Sequence, residues 1–145
     1  MQPAEVDFTA QLDAVGDTAG VVRSALTAAG VPASLIQEFA EATEDIVSKE
    51  SAWKPNAVTP AGSGGVMADG APLNAQRGLT QLTPRAFAQH HAPGTSACIY
   101  DPVANVAAAW RLVGARCAVD LQTGSGLAAF VAKIRANQGS WFADN

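Results

Sequence analysis

From Trp53 to Arg77 the chain shows no period that a helix or a strand would need. The stretch holds Pro55, Pro60, Gly62, Gly64, Gly65, Gly70 and Pro72. Proline lacks the amide donor and glycine resists ordering, so regular structure stops here. On both sides the apolar residues recur at helical spacing. The chain must therefore fold as helical blocks joined by a long irregular segment. A loop of that length inside a compact domain is usually functional or disordered. The sharply patterned flanks favour a functional loop beside a cleft.

The flanking blocks can be read one by one. Residues 1–16 are mixed and turn-prone, and a loosely ordered lead is expected there. The main domain is expected over 17–145. A first helix is predicted over 18–29, with Asp17 as N-cap, an apolar face of Val21, Val22, Ala25 and Leu26, and Gly30 at its end. A second starts near Pro32, where Ser34 and Gln37 suit a capping box. Its stripe runs Ile36, Phe39, Ala40, Thr43, Ile46, Val47, and Glu50 continues that face. A helix over 84–90 opens on Pro84 and ends at His90-His91. Another over 102–117 opens on the cap pair Asp101-Pro102. A last helix is predicted over 125–137, ended by Gly139, with Trp141-Phe142 docking the tail. The fold class is all-α, with a small irregular β-hairpin near 56–82.

Composition bounds the function. The chain has 145 residues, 48% apolar and 15% charged, with a net charge of −4. That is enough for one domain with a core. No Lys/Arg run or Arg/aromatic interleaving marks a nucleic-acid surface. No apolar run approaches the roughly 20 residues of a membrane helix. Glu5 and Asp7 stand where a signal peptide would carry positive charge, so no export signal is visible. Cys98 and Cys117 are expected as free thiols, because a helix between them separates them by roughly 20 Å while a disulfide needs Cα atoms about 5.5 Å apart.

Glu50 is the residue with a chemical prospect. It sits near a helix C-terminus, where the dipole disfavours negative charge. It extends an apolar face, where desolvation acts the same way. Both effects are expected to raise its pKa. A carboxyl group that keeps its proton near neutrality can protonate a leaving oxygen, as glycosidic cleavage requires. From periodicity alone, an ordinary solvated glutamate at a fraying helix end remains the simpler reading.

Three motifs change that balance. The run Ile46-Val47-Ser48-Lys49-Glu50-Ser51-Ala52-Trp53-Lys54-Pro55-Asn56-Ala57-Val58 resembles the catalytic segment of the soluble lytic transglycosylase (lysozyme-like) family. Gly78-Leu79-Thr80-Gln81-Leu82-Thr83-Pro84 resembles its second motif. Ile99-Tyr100-Asp101-Pro102-Val103-Ala104-Asn105 resembles its third. The closest flavour is that of phage tape-measure proteins and phage lysins. The resemblance implies a peptidoglycan-cleaving enzyme acting on the bond between N-acetylmuramic acid and N-acetylglucosamine. Glu50 would be the sole acid/base and the product a 1,6-anhydro sugar. It further implies Ser51, Gln81, Trp53, Thr80, Tyr100 and Asn105 as the substrate-contacting set.

The implied partner is the peptidoglycan glycan strand. The protein would act at the bacterial cell wall as a monomer or as a domain of a larger phage protein, either virion-associated or released at lysis. No cofactor, metal, nucleic acid or membrane insertion is expected. Two rival readings remain: a hydrolytic muramidase (endolysin) on the same scaffold, and a non-catalytic wall-binding or virion structural module.

The match has gaps. Thr80 replaces the family's usual Met, and the later Ala-Tyr-Asn motif is missing; Tyr100 and Trp141 are the aromatic candidates for its place. Gln81 reads either as lining the sugar cleft or as a buried amide bonding backbone. Asp69 is the one loop acid able to face Glu50, although Asp69-Gly70 also reads as a plain turn. Asp101 reads as an N-cap. His90-His91 lack partners at metal-ligand spacing. Cys98 reads as a small buried residue. Trp53, next to Glu50, is the best sugar-stacking candidate.

Overall fold

The computed structural model describes residues 1–59 and 62–136. It is an α-rich lysozyme-like fold with one small antiparallel hairpin. The elements are α1 (Thr18–Ala29), α2 (Ile36–Ser51), β1 (Val58–Thr59), β2 (Gln76–Arg77), α3 (Pro84–His90), α4 (Pro102–Arg116) and α5 (Leu127–Ala136). The expected tail contacts of Gly139 and Trp141-Phe142 lie outside the described residues.

Local chemistry explains most boundaries. Asp17 accepts the Gly20 amide at the start of α1, and Gly30 ends it at φ 100°. Thr83 caps α3 through the Ala86 amide, and Asp101 caps α4 through the Ala104 amide. Pro84 and Pro102 stand in first turns, where the missing amide goes unnoticed.

Two expectations need correction. Ser34 and Gln37 form no capping box. A 3₁₀ turn, Ala33–Leu35, leads into α2, and the Leu35 amide donates to Pro32 O at 2.9 Å. The tighter turn satisfies an entering amide without a hydroxyl. The last helix starts at Leu127 rather than Ser125. Gly124 and Gly126 stand at φ 80° and 86°, and a Cβ on Gly126 would lie 2.1 Å from Ala118 O. The chain cannot be helical until it has passed that contact.

α4 is the central helix. Residues 104–110, together with Leu112 and Val113, are all buried. α1 and α3 pack against it, α2 reaches it through Phe39 and Thr43, and α5 closes on α2. Trp110 meets Phe39 edge-on at 5.0 Å and Phe130 at 6.0 Å. Its indole N–H donates to Thr43 Oγ1 at 2.8 Å, so the largest core side chain has no unpaired polar atom. This ties α2 to α4 and fixes the helix that carries Glu50.

Residues 1–16 lie on the body. Val6 is buried, and Asp7 pairs in parallel with Cys98. Asp7 N donates to Ala97 O at 2.9 Å, and Ile99 N donates back to Asp7 O at 3.0 Å. Asn56 clips the backbone of Gln11 with both ends of its amide, at 2.7 and 2.8 Å. Cys98 and Cys117 are free thiols.

Candidate active site

Glu50 occupies the last turn of α2 and is half-buried. The next residue, Ser51, is buried, and its hydroxyl donates to Val47 O at 3.2 Å. The chain then leaves the helix through two left-handed residues, Ala52 at φ 51° and Trp53 at φ 62°. A bulky aromatic in that region is uncommon and strained. The turn swings Trp53 back against the core, where it is half-buried.

Backbone bonds carry this turn to the second motif. Lys54 N donates to Ser51 O at 3.1 Å, Ala57 N to Lys54 O at 3.1 Å, and Gly78 N to Ala57 O at 2.9 Å. Gln81, at φ 60°, locks the crossing from the other side. Its amide Nε2 donates to Ala57 O at 3.0 Å and Gly78 O at 2.9 Å, and its Oε1 accepts from Thr59 Oγ1. Three of the four described non-glycine residues with positive φ are thus Ala52, Trp53 and Gln81, all in the two motifs.

Asn105 joins the third motif to the second. Buried completely in α4, it donates to Arg77 O at 3.1 Å and Ile99 O at 2.9 Å. Its Oδ1 accepts the Thr80 amide at 2.9 Å and the Thr80 hydroxyl at 2.6 Å. Gly78, at φ 85°, lies directly under this amide. A Cβ there would stand 2.2 Å from Asn105 Nδ2.

The six non-catalytic residues picked from the sequence therefore sit in different surroundings. Ser51, Thr80, Gln81, Tyr100 and Asn105 are buried, and their side-chain bonds run within the protein. Glu50 and Trp53 keep part of their surface open.

Arg77 was not legible as a key residue. It is fully buried, and its guanidinium gathers residues 69–75 of the irregular loop. Nε and Nη2 grip Asp69 at 2.6 and 3.1 Å. Nη1 donates to Leu73 O and Ala75 O, and Nη2 to Ala71 O and Pro72 O. The Phe8 ring lies 4.7 Å from its central carbon. The available signal was one arginine and one aspartate in a loop whose only other charge is Lys54. Asp69 also accepts the Ala71 amide and the Tyr100 hydroxyl. Burial pushes its carboxyl up, but the bonds from Arg77, Tyr100 and Ala71 outweigh that and hold its pKa at about 2. Tyr100 is moved the other way, well above an ordinary phenol, by burial and by the Asp69 charge.

The family model of the transglycosylase SLT domain matches residues 35–119, more than half of the chain. The chain belongs to the SLT domain family. The matched span begins at the entry to α2 and runs past the end of α4, so it contains all three motifs. SLT domains are peptidoglycan lytic transglycosylases and act on the cell wall. No curated protein and no solved structure matches this SLT domain chain. Among its described residues no helix is long and apolar enough to cross a membrane, and no group of three His, Cys, Asp or Glu is placed to hold a metal ion.

Proposed function

We propose that the chain cleaves the peptidoglycan glycan strand between N-acetylmuramic acid and N-acetylglucosamine, with Glu50 as the acid/base. One observation carries this reading. Within the segment that matches the SLT family, a half-buried carboxyl stands in the last helical turn, directly before a strained turn that the second motif braces.

Glu50 gives its proton to the glycosidic oxygen as the bond from that oxygen to the muramoyl C1 breaks. The resulting carboxylate then takes the proton of the muramoyl 6-hydroxyl, whose oxygen bonds to C1. The proton returns to Glu50, and the product is a 1,6-anhydro sugar. The step needs neither a water nor a second carboxylate. That suits the loop acid Asp69, whose carboxylate oxygens are already occupied by Arg77, Tyr100 and Ala71.

The test is digestion of purified cell wall with product mass spectrometry. Anhydro ends are expected. Reducing ends would instead indicate hydrolysis with an activated water. Glu50→Gln is expected to lose at least roughly a hundredfold in rate. Wall digestion by that variant at the parent rate would remove Glu50 from the chemistry.

A further inference from the structure

A hollow of about 520 Å³ opens between the Asp7–Ala10 segment and the irregular loop. Residues 7–10 lie outside the span that matches the family, so this wall is a feature of the present chain. The polar atoms around it are unequally committed. Thr9 gives both its amide and its hydroxyl to Asp7 Oδ1, at 2.9 and 2.6 Å. Tyr100 gives its hydroxyl to Asp69. Asp69 receives four bonds, and an ionised carboxylate has about four acceptor sites, so it is saturated. Its charge is matched by Arg77.

Asp7 is different. It is exposed, and both Thr9 bonds go to one of its oxygens, Oδ1, with the Phe8 amide as a further donor, so acceptor sites remain on its carboxylate. The Thr9 bonds hold its pKa below the ordinary carboxylate value, so it is ionised at neutral pH. The hollow thus has one open anion, further acceptors on the Tyr100 and Thr9 oxygens, and an apolar side made by Phe8, Val58 and Ala68. A ligand that fits must donate hydrogen bonds, carry positive charge and present an apolar stem.

The geometry points to a binding site for a primary alkylammonium side chain, of the lysine or diamino-acid kind, carried on a peptide. The methylene stem lies along Val58 and Ala68, and the ammonium donates to Asp7 and to the Tyr100 oxygen. A free amino acid fits poorly. Its carboxylate would need a cation, no Lys or Arg is among the described residues that line the hollow, and every N–H of Arg77, which grips Asp69, is already bonded. Inside a peptide that carboxylate is a neutral amide. Resting on the wall-cleaving reading, the source of the side chain is an amine-bearing stem peptide of the same polymer, so the hollow would help choose which wall the enzyme engages.

Binding can be measured without any cleavage. Nα-acetyl-lysine methylamide is titrated into the isotopically labelled full chain and followed by NMR. Saturable shifts are expected at Phe8, Ala10, Val58 and Ala68. The Nε-acetylated compound, which lacks the charge, is expected to leave them still. Asp7→Asn keeps an oxygen for Thr9 and is expected to weaken binding roughly tenfold. Glu41→Gln, an equal charge change on the exposed face of α2, is expected to leave it unchanged. Equal binding of the acetylated compound, or undiminished binding by Asp7→Asn, overturns the site. Equally tight binding of the free diamine cadaverine overturns the assignment to a peptide. Because the readout is binding, failure here is separate from a failure of Glu50→Gln to lose activity.

Discussion

Single atoms decide much of this molecule. At Gly78 two requirements coincide: a φ of 85° and a Cβ position already occupied by Asn105 Nδ2. Relief would move either the Asn105 amide, which holds three backbone groups, or the turn itself. Gly78→Ala is expected to destabilise the fold by about 3 kcal/mol, read by urea unfolding. Asp69 gives a pH signature. Its folded pKa of about 2 lies below the ordinary carboxylate value of 3.8, so ionised Asp69 favours the native state. That contribution is complete above the unfolded pKa and disappears as pH falls from about 4 to about 2. Asp69→Asn is expected to cost about 3 kcal/mol at neutral pH, because the buried Arg77 loses its counter-charge. The variant's unfolding free energy should also fall less steeply than the parent's between pH 4 and pH 2.

At the scale of elements, the two irregular stretches behave as one unit. The turn after α2 and the turn after β2 share the Ala57 carbonyl, and the Gly78–Gln81 turn is hung from α4 by Asn105. Truncating Asn105 to Ala removes the partner of the buried Thr80 amide and of the Ile99 carbonyl, while Arg77 O keeps the Leu82 amide. A loss of about 2 to 4 kcal/mol is expected from those buried groups together, measured by thermal unfolding. The short helix α3 carries a different feature. His90 is buried, and its Nε2 has no hydrogen-bond partner among the described residues. Burial depresses its pKa, aided by the charges of Arg116 and Arg111. A base depressed in the native state takes its proton more readily when unfolded, so stability is expected to drop as pH falls below the ordinary imidazole value of 6.5. His90→Leu removes the unpaired nitrogen. It should leave neutral-pH stability unchanged or higher and flatten the decline between pH 7 and 5, read from Tm against pH.

For the whole molecule, the first residues make contacts with the body. Val6 is buried, Thr9 and Gln11 bond the thiol of Cys98, and Phe8 stands against Arg77. Removing residues 1–11 is expected to cost roughly 2 kcal/mol, about the value of burying one such aliphatic side chain. It should also make Cys98 react faster with a thiol reagent than in the intact chain. An unchanged thiol rate would mean that the segment does not shield it.

Sequence and tertiary structure divided the information along a physical line. Helix spans and caps were legible, because each depends on residues a few positions apart: Asp17 with Gly20, Thr18–Ala29 with Gly30, Asp101 and Pro102 with α4. The order and spacing of the three motifs, centred on Glu50, pointed to the family for the same reason. The irregular segment was recognisable only as irregular. Its conformation depends on Arg77 reaching back to Asp69 and, much further back, to Phe8, and on Asn105 reaching Gly78 and Thr80, pairs that no local pattern announces. The pinned N-terminus belongs to the same class, since Asp7 meets Cys98 across most of the chain. Local propensity follows from neighbours along the backbone. Saturation of buried polar atoms follows from neighbours in space, and only folding brings those together.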